Sequence, residues 1–146
     1  MRTRGYAHRI DILAPPSAVW AALVDPAQVA RWHGPVTALK LRAGGRYAAS
    51  LGPNLERDAL IDVFDVRHRM RLVYLLPPAM PAFDGALVDD VLLEPAGVGT
   101  VVRWLGSGIP EGPLWDAYHL KLRVGTEHAL ARLKLLLERR PATADT

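Results

Sequence analysis

The sequence contains no cysteine. It therefore offers no disulfide, no thiolate ligand for zinc and no thiol nucleophile. Long apolar runs are missing too. No stretch approaches the roughly 18 residues that a membrane helix needs, so no membrane partner is expected. The opening MRTRGYAHRIDIL carries charges within and after its first apolar stretch, which is not the pattern of a signal peptide. A cytoplasmic setting is the expectation. Charge of one sign is scarce as a surplus. Eighteen Lys and Arg against fifteen Asp and Glu leave a formal +3, too small an excess to mark a nucleic-acid surface. GxSxG, GKS or GKT and GxGxxG are all absent, so acyl transfer and nucleotide hydrolysis have no support. His8, His33, His68 and His128 are scattered, without HxH or HExxH spacing, and neither a metal nor another cofactor is expected.

What is present is an ordinary globular balance, 50% hydrophobic and 23% charged over 146 residues. A chain of this length buries about two thirds of its unfolded surface. One domain over residues 1–140 is expected, with 141–146 as a disordered tail. Tyr6, His8, Ile10 and Ile12 alternate with Ala7, Arg9 and Asp11, the period of a half-buried strand. Pro15 and Pro16 end it and suit the first turn of a helix, in which Val19, Trp20, Leu23 and Val24 recur at helical spacing. A second short helix follows over 27–32. Strands are then expected over 37–41 and 46–51, through Ala59, Ile61 and Val63, over 70–76, and as a hairpin of 87–94 with 100–105. Gly106 to Gly112 reads as loop. A long helix over 113–139 closes the chain, with Trp115, Tyr118, Leu122, Thr126, Ala129, Leu133 and Leu136 on one stripe. Helices gathered on one side of an antiparallel sheet make an α+β arrangement.

Several of these segments carry a family likeness. Ile12-Leu13-Ala14-Pro15-Pro16-Ser17-Ala18-Val19-Trp20, followed by Leu23-Val24-Asp25-Pro26 and Arg31-Trp32, resembles the opening of the Hsp90-ATPase-activator-homologue-like proteins. These belong to the START-like (SRPBCC, Bet v 1-like, polyketide cyclase) superfamily. Ala43-Gly44-Gly45-Arg46-Tyr47, Arg71-Leu72-Val73-Tyr74, and Glu94-Pro95 with Gly99-Thr100 are similar to that family's successive strands. Leu130, Leu133-Lys134 and Leu137-Glu138 are similar to the end of its last helix. The resemblance implies a helix-grip fold: a curved antiparallel sheet of about six to seven strands wrapped around a long C-terminal helix, with two short helices after the first strand. It leaves function open, because members range from ligand carriers to cyclases, dehydratases and chaperone-binding domains. Two departures stand out. Many members have Gly-Trp within the last helix, where here Gly125 precedes Thr126, and the loop after Pro77 is unusually rich in proline.

The space between sheet and long helix is the expected site, holding a small hydrophobic or aromatic ligand. The alternatives are a cyclase- or dehydratase-like enzyme using the same cavity, or a chaperone-interaction module. The helix stripe is small in its middle, at Gly125, Thr126 and Ala129, which either lets backbones touch or floors a pocket. A four-residue loop from Ala96 to Gly99 sets Pro95 opposite Thr100, Leu93 opposite Val102, Val91 opposite Trp104 and Asp89 opposite Gly106. That register turns Val91, Val102 and Trp104 inward with Asp89 at the rim, hydrated or orienting a ligand; a slip of one substitutes Asp90. Trp32, Trp104, Trp115, Tyr74, Leu122 and Thr126 are the candidate walls, whereas Trp20 belongs to the core. Arg46 points opposite to Tyr47 and meets a ligand carboxylate only if it faces inward. His119, at the edge of the stripe, is the candidate general base or ligand hydrogen bond. A homodimer, through the proline-rich loop or a sheet edge, stays open.

Overall fold

The computed structural model describes residues 2–75 and 80–139. The expected tail and loop residues 76–79 lie outside them. Ten elements follow in order: β1 (Thr3–Ile12), α1 (Pro16–Val24), α2 (Pro26–Trp32), β2 (Val36–Leu39), β3 (Arg46–Gly52), β4 (Leu55–Asp65), β5 (Arg69–Tyr74), β6 (Val88–Ala96), β7 (Gly99–Pro110) and α3 (Pro113–Glu138). Each helix begins on a proline. The ring fixes φ near its helical value, and the missing N–H is one that a first turn leaves unpaired anyway. All strand pairs are antiparallel, in the order β1-β7-β6-β5-β4-β3-β2. From β2 to β7 every neighbour in sequence is a neighbour in the sheet. β1 alone crosses over, joining beside β7, and the two short helices lead from that edge to β2 at the other, α1 against β6 and β7 and α2 against β2. The seven strands curve around α3 as a helix-grip fold.

The inner face of α3 buries Trp115, Leu122, Thr126, Ala129, Leu130 and Leu133 against the sheet and the short helices. The small middle of this stripe is closely packed. Ala129 is fully buried, and a Cβ added at Gly125 would lie 3.3 Å from Leu55 Cδ2 and 3.6 Å from Leu51 Cβ. Arg132 reaches back from α3 to donate 2.8 Å to the Trp32 carbonyl, one of the carbonyls that the end of α2 leaves free. Trp20 sits in the core with its ring 5.3 Å from that of Phe64, as expected from its spacing.

Two strands run further than expected. β4 begins at Leu55, so Arg57 joins Ala59 and Ile61 on the inward face. β7 continues through Gly106-Ser107-Gly108 to Pro110, where a loop was expected. There its register with β1 shifts between Arg4 and Tyr6, with Ile109 opposite Arg4 but Gly106 opposite Tyr6, so β7 carries the extra residue. Gly108, at φ +86°, sits in this bulge. The glycines that look like a break in the strand let it bend.

The β6–β7 hairpin has the expected register, with Asp89 opposite Gly106, Val91 opposite Trp104, Leu93 opposite Val102 and Pro95 opposite Thr100. One row across the sheet therefore reads Tyr6, Gly106, Asp89, Leu72. Because Gly106 has no side chain, the Tyr6 ring lies over it and reaches Asp89 in the next strand; a Cβ there would sit 2.3 Å from Tyr6 Cζ. Gly106→Ala is expected to displace this ring and cost about 2 kcal/mol or more. A lower urea midpoint at unchanged m-value would measure it.

Candidate functional site

The row just described leads to a buried polar cluster. Asp89 Oδ1 accepts from the Tyr6 hydroxyl at 2.6 Å. Its Oδ2 accepts from Tyr74 at 2.5 Å and from Trp104 Nε1 at 2.9 Å. Facing it is Arg57, whose Nε lies 3.5 Å from Asp89 Oδ2, with both side chains essentially inaccessible at 0% and 1% exposure. Arg57 Nε donates to the Tyr74 hydroxyl at 2.8 Å, and another of its N–H groups donates to Thr126 Oγ1. The guanidinium carbon stands 4.5 Å from the centre of the Trp104 ring, a cation–π arrangement. Its remaining terminal nitrogen lies 2.7 Å from His33 Nε2. His33 Nδ1 lies 2.8 Å from the Ser50 carbonyl, which can only accept, so the proton sits on Nδ1 and Nε2 takes the bond from Arg57.

The protonation states follow from this geometry. Burial alone would make Arg57 easier to deprotonate, but Tyr74, Asp89 and Tyr6 outweigh it and raise its pKa above the ordinary arginine value. Burial, then the Arg57 charge, pushes His33 well below its usual value, so the imidazole is neutral. Tyr6 and Tyr74 are pushed well above theirs, first by burial, and stay protonated donors. The result is one cation, one anion and a ring of neutral groups that satisfy each other. A buried pair is tolerable only when its remaining donors and acceptors are met in this way. No group in the cluster is left over to move a proton to or from a substrate.

Open space lies beside the cluster. A cavity of about 670 Å3 is lined by Leu114, Ala117, Tyr118 and Lys121 from α3, Ser50, Leu55, Glu56 and Asp58 from the β3–β4 hairpin, Thr37 from β2, and Leu75 and Met80 from the loop after β5. Its acidic groups are partly answered. Thr37 donates to Glu56 at 2.8 Å, and Arg46 holds Asp58 through two bonds of 2.8 and 2.7 Å. A shallower apolar groove of about 460 Å3 continues past Leu55 and Lys121 to Leu120, Val124 and Gly125. Among the described residues no three His, Asp or Glu side chains are grouped to hold a metal.

The expected site residues fall into three groups. Trp104, Tyr74, Asp89 and Thr126 meet at Arg57, and Trp32 adjoins them edge-on, its ring 6.3 Å from that of Trp104 and its Nε1 bonded 2.8 Å to the Ala22 carbonyl. Asp89 is neither hydrated nor at a rim; three donors and the opposing guanidinium enclose it. Trp115 and Leu122 are core, with Trp115 between Phe83 and Tyr118. Arg46 and His119 lie elsewhere. Tyr47 takes the inward side of β3, so Arg46 faces out to Asp58. His119 Nε2 donates to the Gly5 carbonyl at 2.9 Å, which pins α3 to β1 and leaves that nitrogen unavailable as a base. None of the nine lines the open cavity. Sequence reasoning misses Arg57 and His33 as partners. For Arg57 a signal exists, two residues before Ala59 on the same alternation. For His33 nothing in the spacing points inward.

Residues 13–138 match the model of a family described as activator of Hsp90 ATPase homolog 1-like protein. No curated protein matches the chain by sequence. Among solved structures it is similar to MLL2253 from Mesorhizobium loti, at 24% identity and TM-score 0.78 over 94% of this chain and 99% of that one. It is also similar to CalU16 from Micromonospora echinospora, at 22% and 0.73 over 97% and 79%. The solution structure of the Aha1 dimer from Colwellia psychrerythraea is similar at 19% and 0.76 over 92% and 96%. Identities this low speak to the fold.

Two outcomes follow from the cluster. Arg57→Met strands Asp89 as a buried charge and should cost about 3–5 kcal/mol, with Arg57→Lys failing to restore it because an ammonium cannot serve the same fork of acceptors; equilibrium urea unfolding would measure both. His33 binds a proton less readily folded than unfolded, so its stabilisation is complete above the unfolded value of about 6.5 and is lost as pH falls below it. His8, also lowered by burial, acts in the same direction. Unfolding free energy should therefore fall between roughly pH 6.5 and 5, and less steeply in His33→Gln.

Proposed function

The chain belongs to the activator of Hsp90 ATPase homolog 1-like family, and from that premise we propose that it binds a small hydrophobic or aromatic molecule between the β3–β4 hairpin and the first half of α3. The observation that carries this reading is the open cavity of about 670 Å3. Its size is that of small-molecule sites, roughly 300–1,000 Å3. Its wall combines apolar side chains (Leu55, Leu75, Met80, Leu114, Ala117 and the Tyr118 ring) with a few polar groups. That mixture favours an apolar body held in one orientation. The site lies nearer the start of α3 than the middle of its stripe, because the middle is occupied by Arg57 and its partners. Binding is favoured over a dehydratase- or cyclase-like reaction. His119, on which that alternative leaned, is held by Gly5 away from the cavity, and the cluster at Arg57 is closed.

Native mass spectrometry of freshly purified protein, then of the same sample denatured, tests the proposal. An extra mass that disappears on denaturation is the expected result, and the same spectra report whether the chain pairs with itself. Ala117 is exposed and lines the cavity, so Ala117→Trp should fill the space with little change in the melting temperature of the free protein. It should abolish any thermal shift given by apolar ligands. A shift that survives in Ala117→Trp would move the site elsewhere. A clean apo mass together with no shift across a broad apolar panel would remove the proposal and turn attention to a protein partner.

A further inference from the structure

Binding in the cavity, taken from the reading above, leaves the shape and charge of the ligand to be decided. The shallower apolar groove bears on both. Cavity and groove share Gly52, Leu55 and Lys121, and together they follow α3 from Leu114 to His128. Along this line the fold leaves apolar surface in water. Leu114 and Leu120 are exposed on the helix, and Leu75 is exposed on the cavity wall. Gly125 belongs to the groove, although glycine weakens the interior of a helix. A side chain there would begin 3.3 Å from Leu55 Cδ2 and 3.6 Å from Leu51 Cβ, and would fill the space between helix and hairpin. The missing side chain keeps the groove open.

Charge is sparse along this line and unevenly placed. Glu56 and Asp58 border the cavity, but they alternate with the inward Arg57 and so project from the outward side of β4. There Thr37 and Arg46 hold them. Lys121 borders both spaces and makes neither an ion pair nor a hydrogen bond among the described residues. Helical side chains lean toward the N-terminus, which for Lys121 is the cavity end. Beyond it the groove is apolar, walled by Leu51, Pro53, Leu120 and Val124 as far as His128. We infer that the ligand is an aliphatic carboxylate, its carboxylate in the cavity against Lys121 and its chain in the groove. From Ala117 to His128 the helix advances roughly 16 Å. An extended chain of about twelve carbons covers that distance. Such a ligand supplies the anion that Lys121 lacks and covers apolar surface that the fold leaves in water.

Four probes test this: dodecanoate, dodecanol, dodecyltrimethylammonium and hexanoate, each kept below its micelle concentration. They are titrated calorimetrically at low salt into the wild-type protein, Lys121→Gln and Gly125→Leu. Dodecanoate should bind about fivefold tighter than dodecanol, a margin that shrinks as salt is added, with the cation weaker than either. It should bind about fiftyfold tighter than hexanoate if half of each added methylene is buried. Lys121→Gln should bring dodecanoate to the level of dodecanol and leave dodecanol unchanged. Gly125→Leu should abolish the advantage of the longer chain. Leu120→Asn, at an exposed position, makes the same test by weakening the dodecyl probes and sparing hexanoate, should Gly125→Leu lower the melting temperature. Equal binding of dodecanoate and dodecanol, or a preference for the cation, overturns the carboxylate. A preference for dodecanoate that survives in Lys121→Gln overturns the assignment to Lys121, and a chain-length advantage that survives the groove variants overturns the place of the chain. If none of the four binds while apolar aromatic molecules still shift the melting temperature, this inference fails and the proposed function stands. If nothing shifts it, both fail.

Discussion

Arg57 is a charge with no access to water, placed at the centre of the molecule. An uncompensated guanidinium there would be prohibitive, so its surroundings have to supply an anion, acceptors for its N–H groups and a polarisable face. They come from across the chain. Tyr74 and Asp89 stand on adjacent strands, Trp104 on the next, and Tyr6 on the strand beyond. His33 caps α2 and Thr126 lies on α3. The curved sheet brings these side chains to one point on its concave face, and α3 covers it. Sheet register, the bend in β7, the docking of α2 and the rotation of α3 about its axis all meet in this one set of contacts. A hydrophobic core tolerates small slippages; a saturated polar centre does not.

The same centre explains where the open cavity lies. A helix-grip sheet leaves room beneath its helix, and here the middle of that room is taken by Arg57, the Trp104 ring and the His33 imidazole. The larger open space described lies where the β3–β4 hairpin parts from the first turns of α3. The cavity therefore has a polar, closed inner neighbour, while its own wall mixes apolar and polar side chains. Tyr118 lines the cavity while its hydroxyl is closed to water.

Much of this architecture is legible in the amino-acid sequence. Proline at the start of each helix, the stripe of α3 and the loop arithmetic of the last hairpin yield the element order and the β6–β7 register, and with it the position of Asp89 opposite Gly106. From Leu13 onward, the residues that resemble a known family lie within the span that the family model matches. The candidate site is legible in its members and not in their purpose. Trp32, Tyr74, Asp89, Trp104 and Thr126 stand out as walls of a void, but they enclose an arginine. Arg57 escapes notice because the alternation is clear only from Ala59 onward, and a charged residue before it looks like the edge of a turn. Arginine seldom lies fully inside, and only the shared face with Ala59 and Ile61 indicates otherwise. The cavity itself cannot be read from the residues. Leu55, Leu75 and Ala117 become neighbours through the curvature of the sheet, which no local pattern encodes.

The place of β1 in the sheet has a consequence for how the chain is made. β1 leaves the ribosome first, yet its hydrogen-bonding partner is β7, the last strand synthesised. Until β7 emerges, the first strand has no edge to join, and Tyr6 has neither Gly106 to lie over nor Asp89 to bond. Arg57 must meanwhile remain hydrated, because the groups that replace its water arrive at opposite ends of synthesis. The nascent chain can assemble the β2–β5 meander early, since those contacts are local. The central charge can be withdrawn from water only when the whole domain is present. Completion of the fold is thus tied to completion of the domain, and a domain cut short before β7, with its charged residue still exposed to solvent, resembles an unfinished protein more than a smaller stable one.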